Sequence, residues 1–177
     1  ENETCWFLAA DFDKSSWQED AAAFLLAARD LGVPVALERS RSGNGAHAWV
    51  FFAEAVSARS ARQLGSAILT HAMECRYQIG FDSYDRFFPS QDTLPKGGFG
   101  NLIALPLQGG PRHRGNSVFL TEAFDSFEDQ WAYLASVRRM PASEVERLVS
   151  EAQRKGSVLG VRAVEDEDAE SAAPWQL

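Results

Sequence analysis

The chain has 177 residues, 45% hydrophobic and 24% charged, the composition of a folded globular protein with a real core. Its net charge of −8 argues against a protein that grips nucleic acid through a broad basic surface. Five acids lie within 165–170 and no Lys or Arg follows residue 164, so the rest of the chain carries only −3.

In chain order, residues 5–10 form an apolar run rich in strand formers, which predicts a strand over 5–11. If that strand continues through Asp13, Asp11 and Asp13 share one face and Phe12 turns to the core. Two like charges on one face repel unless a cation stands between them. Mg²⁺ takes one or two carboxylates with phosphate oxygens and water. The same Asp-Phe-Asp-Lys-Ser-Ser-Trp stretch also reads as the start of the next helix, with an acid or a serine as N-cap.

A helix is expected over 16–31, with Ala21, Phe24, Leu25 and Ala28 on one face. Residues 34–41 and 46–52 read as two strands, and Asn44-Gly45 between them as a two-residue hairpin turn in which both residues need φ > 0. That register sets Ser42 opposite His47, with Cβ atoms about 5 Å apart on one face. A hydroxyl and an imidazole would converge there, glycines would let a ligand near the backbone, and Arg39 and Arg41 would add positive charge. These features predict a phosphate-binding corner. It is neither a dinucleotide fingerprint, since the third glycine is missing, nor a P-loop, since no Gly-Lys-Ser/Thr follows.

A second helix is expected over 57–76, with Ala61, Leu64, Ile68 and Ala72 in register; His71 on it reads as structural. Strands are expected near 78–83, 101–107 and 117–121, and helices over 126–138 and 141–155. Asp82, Asp85 and Asp92 are each candidates for a third metal-facing carboxylate. Residues 93–101 place three glycines, a proline and Lys96 between apolar runs, and such loops on a rigid sheet commonly carry binding groups. The β-α-β-β-α-β order implies an α+β fold with an RRM-like antiparallel or mixed sheet flanked by helices. The aromatic residues sit mostly at core-like spacings, so no base-stacking platform is read. Cys5 and Cys75 are far apart with no Cys-x-x-Cys, so no zinc module is readable. No signal peptide or membrane span is visible, which makes the cytoplasm the default location. Residues 1–160 read as one catalytic domain and 161–177 as an acidic linker or tail, which suggests a piece of a longer protein.

Three segments in order carry a wider likeness. They are Asp11-Phe12-Asp13; Ser42-Gly43-Asn44-Gly45-Ala46-His47-Ala48-Trp49; and Asp85-Arg86-Phe87-Phe88-Pro89-Ser90-Gln91-Asp92 with Lys96-Gly97-Gly98-Phe99-Gly100-Asn101 and Leu105-Pro106-Leu107-Gln108. This pattern resembles the archaeo-eukaryotic primase superfamily, and most closely the primase domain of bacterial TOTE conflict systems. The resemblance implies that Asp11 and Asp13 ligate metal and that Ser42 and His47 contact the phosphates of an incoming nucleotide. It also implies a hydrophobic-Asp motif supplying a further ligand. Tyr84-Asp85 fits that motif best, and Phe81-Asp82 has the same form. Arg41, Lys96 and Asn101 are candidates for the triphosphate from their location.

The implied cofactors are two divalent ions, Mg²⁺ or Mn²⁺. The implied reaction is nucleotidyl transfer from an NTP or dNTP to a 3′-hydroxyl on a template. The implied partners are that nucleotide, single-stranded or primed template DNA, and a fused or associated helicase. With local basic clusters at Arg39/Arg41, Arg59/Arg62 and Arg112-His113-Arg114, DNA affinity of this region alone is expected to be weak and salt-sensitive. Two other classes stay open: a nucleotide- or nucleic-acid-binding module without catalysis, and a metal-dependent phosphodiesterase. The presence of all three aspartates argues against the first, and a triphosphate-binding Ser/His pair is superfluous to the second.

Overall fold

The structure, a computed structural model, describes residues 3–75, 81–93 and 101–156. Ten elements follow in order: β1 (Thr4–Phe12), α1 (Trp17–Asp30), β2 (Ala36–Arg39), β3 (Ala46–Ser57), α2 (Ala58–Cys75), β4 (Tyr84–Phe88), α3 (Gly109–Arg112), β5 (Phe119–Leu120), α4 (Gln130–Ser136) and α5 (Ala142–Lys155). The strands form one sheet in the order β4-β1-β3-β2-β5, and every pairing is antiparallel. The first four strands with α1 and α2 make the split β-α-β arrangement that the element order predicts. The sheet is therefore antiparallel throughout rather than mixed.

Strand alternation divides the residues between two cores. Leu8, Ala10 and Phe12 of β1, with Ala48, Val50 and Phe52 of β3, face the layer holding Phe24 of α1, Leu64 and Ile68 of α2, and Val145 and Val149 of α5. The intervening residues Ala9, Ala36 and Trp49 face the other way, into a smaller core with Phe88, Leu107 and Phe119. Asp11, His47 and Glu38 share the parity of this second face, opposite α1 and α2. The sheet thus buries one side under helices, and on the other it sets a polar row beside a smaller apolar core.

Several expected boundaries shift for identifiable reasons. Where a strand was expected near 78–83, β4 begins only at Tyr84; residues 76–80 lie outside the described residues. Phe81 is left-handed at φ +50 and its carbonyl accepts from the Tyr84 N–H, so 81–84 is a turn. No strand forms over 101–107. Pro106 lacks a donor, Leu107 is left-handed at φ +63, and the free side of β2 is taken by β5. The helix expected from 126 starts at Gln130, because the Asp129 carboxylate caps it by accepting from the Trp131 and Ala132 N–H groups. The acidic segment 161–177 lies outside the described residues.

Buried Asp20 on α1 fixes how β4 meets β1. Its carboxylate accepts from the Ser83 N–H (3.1 Å) and the Ser83 hydroxyl, and the Ser83 carbonyl accepts from the Asp13 N–H at 2.7 Å. The turn before β4 is thereby tied to the end of β1.

Candidate active site

Three residues line up across three neighbouring strands. Asp11 of β1 is paired with His47 of β3, and His47 with Glu38 of β2. The His47 Nδ1–H donates to Glu38 Oε2 at 3.0 Å, while Nε2 lies 3.5 Å from Asp11 Oδ1. Glu38 is 1% exposed, and its carboxylate also accepts from Trp49 Nε1 (2.8 Å) and Ser117 Oγ (3.0 Å). Three donors on one carboxylate satisfy a buried charge that would otherwise be costly.

The charges act on one another. Burial alone would lower the His47 pKa; the hydrogen bond and charge of Glu38, with Asp11 and Asp13, outweigh it and hold the imidazole above its ordinary value. Burial pushes the Asp11 carboxyl up. His47 pulls it back, and the like charges of Asp13 and Asp85 push it up again.

A cavity of about 400 Å³ opens at this point, lined by Asp11, Asp13, Ser40, Arg41, Ser42, His47, Phe88 and residues 102–104. That volume is in the range of small-molecule sites. Asp11 and Asp13 both reach it while Phe12 is fully buried, as the alternation requires. Ser42 and His47 reach it too, but not by the expected route. The β2–β3 register sets Glu38, not Ser42, opposite His47, and the hairpin loop spans 40–45. The Asn44-Gly45 turn does not form, since neither residue has the positive φ it needs; Gly43 takes it instead, at φ +85. Gly45 serves by having no side chain. A Cβ there would stand 2.4 Å from the Phe12 carbonyl and 2.6 Å from Asp13 Oδ1. Ser42 is delivered by the loop, its hydroxyl 3.0 Å from that of Ser40 and accepting from the Asn44 N–H.

The remaining candidates separate. Asp85 lies on β4, close enough to add its charge to Asp11, and its Oδ2 accepts from Arg86 Nε at 2.6 Å. Asp82 lies in the preceding turn, where its backbone carbonyl takes Lys14 Nζ at 2.9 Å. Asp92 is engaged by buried Arg62 at 2.7 Å, which explains that acid without a metal. Asn101 donates to Ser90 Oγ and lines a different cleft, with Thr4, Pro89 and Asp92. Lys96 lies outside the described residues. Among the described residues, the one group of three possible metal ligands whose donor atoms lie within 4.8 Å of one another is Asp30, His71 and Cys75, so the three candidate carboxylates stand further apart.

Glu38 and Ser117 escaped the sequence reading. The signal for Glu38 was an acid two residues beyond Ala36 on the same strand face, opposite a histidine once the register is right. Ser117 comes from a loop 79 residues away and carries no local signal.

Among curated proteins none matches the chain. No helix among the described residues is long and apolar enough to cross a membrane. A family model described as the TOTE conflict system, Archaeo-Eukaryotic Primase domain, matches residues 1–148, which take in every strand, the Asp11–His47–Glu38 row and the cavity above it. The chain belongs to the archaeo-eukaryotic primase domain family of TOTE conflict systems.

Proposed function

We propose that this chain is a primase-polymerase domain that transfers a nucleotide from an NTP or dNTP to a 3′-hydroxyl on a DNA template. The observation that carries the reading is the convergence of Asp11, Asp13, Ser42 and His47 on one cavity. The donor set supports a hard cation. Asp11, Asp13 and Asp85 offer only carboxylate oxygens; burial raises Asp11 most, and a bound cation would offset that burial together with the added repulsion from Asp13 and Asp85. Asp85 would join such a set by giving up its contact with Arg86. Mg²⁺ or Mn²⁺ held there would promote ionisation of the attacking hydroxyl and stabilise the departing pyrophosphate.

The chain's own groups do the rest. Glu38 holds His47 by Nδ1 and favours its protonated form, whose Nε2–H is then left to donate to a phosphate oxygen in the cavity. Ser42 offers a hydroxyl, and exposed Arg41 offers positive charge at the cavity wall. Phe88 and Ile103 give the cavity apolar surface, which strengthens the electrostatic contacts beside it. Template DNA is the partner this reading requires, and a helicase fused to or associated with the chain is proposed beside it.

Incubation with a primed template, dNTPs or NTPs and Mn²⁺ tests it. Product lengthening by the unaltered chain, abolished in Asp11→Ala and Asp13→Ala variants that stay folded, is expected. Product shortening would identify a phosphodiesterase instead. Full extension by either variant would overturn the metal assignment.

A further inference from the structure

We propose that Asp30, His71 and Cys75 form a zinc site, separate from the cavity and independent of the function proposed above. His71 and Cys75 are one turn apart on α2, so both project from one side of the helix. Asp30 is the last residue of α1, which packs against α2. The turn after Asp30 is fixed by hydrogen bonds from the Leu31, Gly32 and Val33 N–H groups to the carbonyls of Ala27, Arg29 and Ala28, with Gly32 left-handed at φ +74. Asp30 therefore stands beside a fixed turn, and His71 and Cys75 stand on one helix.

The spacing around His71 is close to that of a tetrahedral centre. His71 Nε2 lies 3.6 Å from Asp30 Oδ2 and 3.8 Å from Cys75 Sγ, and the three donor atoms are all within 4.8 Å of one another. Zinc bonds of about 2.0 Å to nitrogen and oxygen and 2.3 Å to sulfur put tetrahedral ligands about 3.3 Å (N to O) and 3.5 Å (N to S) apart. The two His71 separations are within a few tenths of an ångström of these values, and the Asp30–Cys75 pair, no more than 4.8 Å apart, would close to about 3.5 Å around the ion. Hydrogen bonding alone does not explain the convergence. One imidazole nitrogen either donates to the carboxylate or accepts from the thiol, and cannot do both. A metal takes its lone pair and satisfies all three groups.

Thiolate and imidazole select zinc over Mg²⁺ and Mn²⁺, so the ions that suit the carboxylates of the cavity do not compete. Asp30 and Cys75 are exposed and His71 half-buried, which leaves the fourth position to water. The ion would clip the C-terminal ends of α1 and α2 together.

Titration of the whole reduced chain with Co²⁺ tests the assignment. We expect one ion per chain with a thiolate charge-transfer band that Zn²⁺ displaces and Mg²⁺ leaves. The band disappears in Cys75→Ser and persists in Asp11→Ala, and His71→Ala weakens Zn²⁺ binding by at least the roughly 10–100-fold that loss of an outer-shell partner costs. In the unaltered chain, Zn²⁺ but not Mg²⁺ protects Cys75 from alkylation. Absence of the band, its survival in Cys75→Ser, or an unprotected Cys75 at saturating Zn²⁺ would each overturn the site.

Discussion

Glu38 and His47 face each other across β2 and β3, and the buried Glu38 carboxylate accepts the His47 Nδ1 proton at 3.0 Å. Because Trp49 and Ser117 donate to the same carboxylate, its removal strands three donors at once. Glu38→Ala is expected to cost about 3–5 kcal/mol. Glu38→Gln, which keeps the shape but turns an amide toward the donors, is expected to cost about 1–3 kcal/mol. Urea unfolding followed by tryptophan fluorescence checks both. A shift in midpoint at constant m-value is the expected form.

Gly45 tests how tightly the hairpin is pressed on β1. Gly45→Ala places a methyl against the Phe12 carbonyl and the Asp13 carboxylate, so the backbone must move, at about 1–3 kcal/mol. Nucleotide incorporation should fall further than stability, because Asp13 and the 40–45 loop are displaced together. Gly110→Ala is the control: nothing lies within 4 Å of its added methyl, and its effect should stay within about 0.5 kcal/mol.

The three acids around β4 should behave differently. Asp85→Asn is expected to lower Mn²⁺ affinity and extension by at least about 10–100-fold. Asp82→Asn should leave both near the unaltered values. Asp92→Ala should leave metal affinity alone but strand buried Arg62, at about 3–5 kcal/mol, and Arg62→Met in the same chain should recover part of that. Isothermal titration with Mn²⁺ and thermal unfolding separate the three.

Burial raises the Cys5 thiol from its ordinary value to about 11, against the weaker pull of the Phe7 backbone. Its protonated form is thus favoured by folding. The stability this represents is fully present below pH 9, the unfolded value, and is lost as pH rises from there through about 11. Cys5→Ala should flatten the fall in stability over that window. At pH 8 and without added metal, iodoacetamide should label exposed Cys75 well before Cys5, as peptide mapping would show.

What the sequence made legible is local. Period-two alternation sent Phe12 inward and brought Asp11 and Asp13 to one cavity, because strand geometry depends only on neighbours along the chain. The helices over 17–30 and 58–75 followed from apolar spacing for the same reason. The hairpin failed where two uses of glycine compete. Asn44-Gly45 has the composition of a tight turn, yet Gly45 is spent on its close approach to β1, a contact 33 residues back in the chain. The strand expected over 101–107 had apolar residues, but Pro106 lacks a donor and Leu107 is left-handed. Glu38 read as an ordinary strand residue because its partners, Trp49 and Ser117, are set by pairing and by a distant loop.

Asp85 rides on β4, which ends the sheet and is paired only with β1 among the described residues, through a ladder with an irregularity between Ala10 and Phe12. Asp11, by contrast, sits between two strands. A sheet margin of this kind opens at lower free energy than the interior. Capture of an ion between Asp11 and Asp85 would therefore also be an ordering event. Amide exchange along 84–88 should slow on adding Mn²⁺, while exchange in β3 should hardly change. Occupancy of the site and closure of the sheet's margin would then be a single equilibrium.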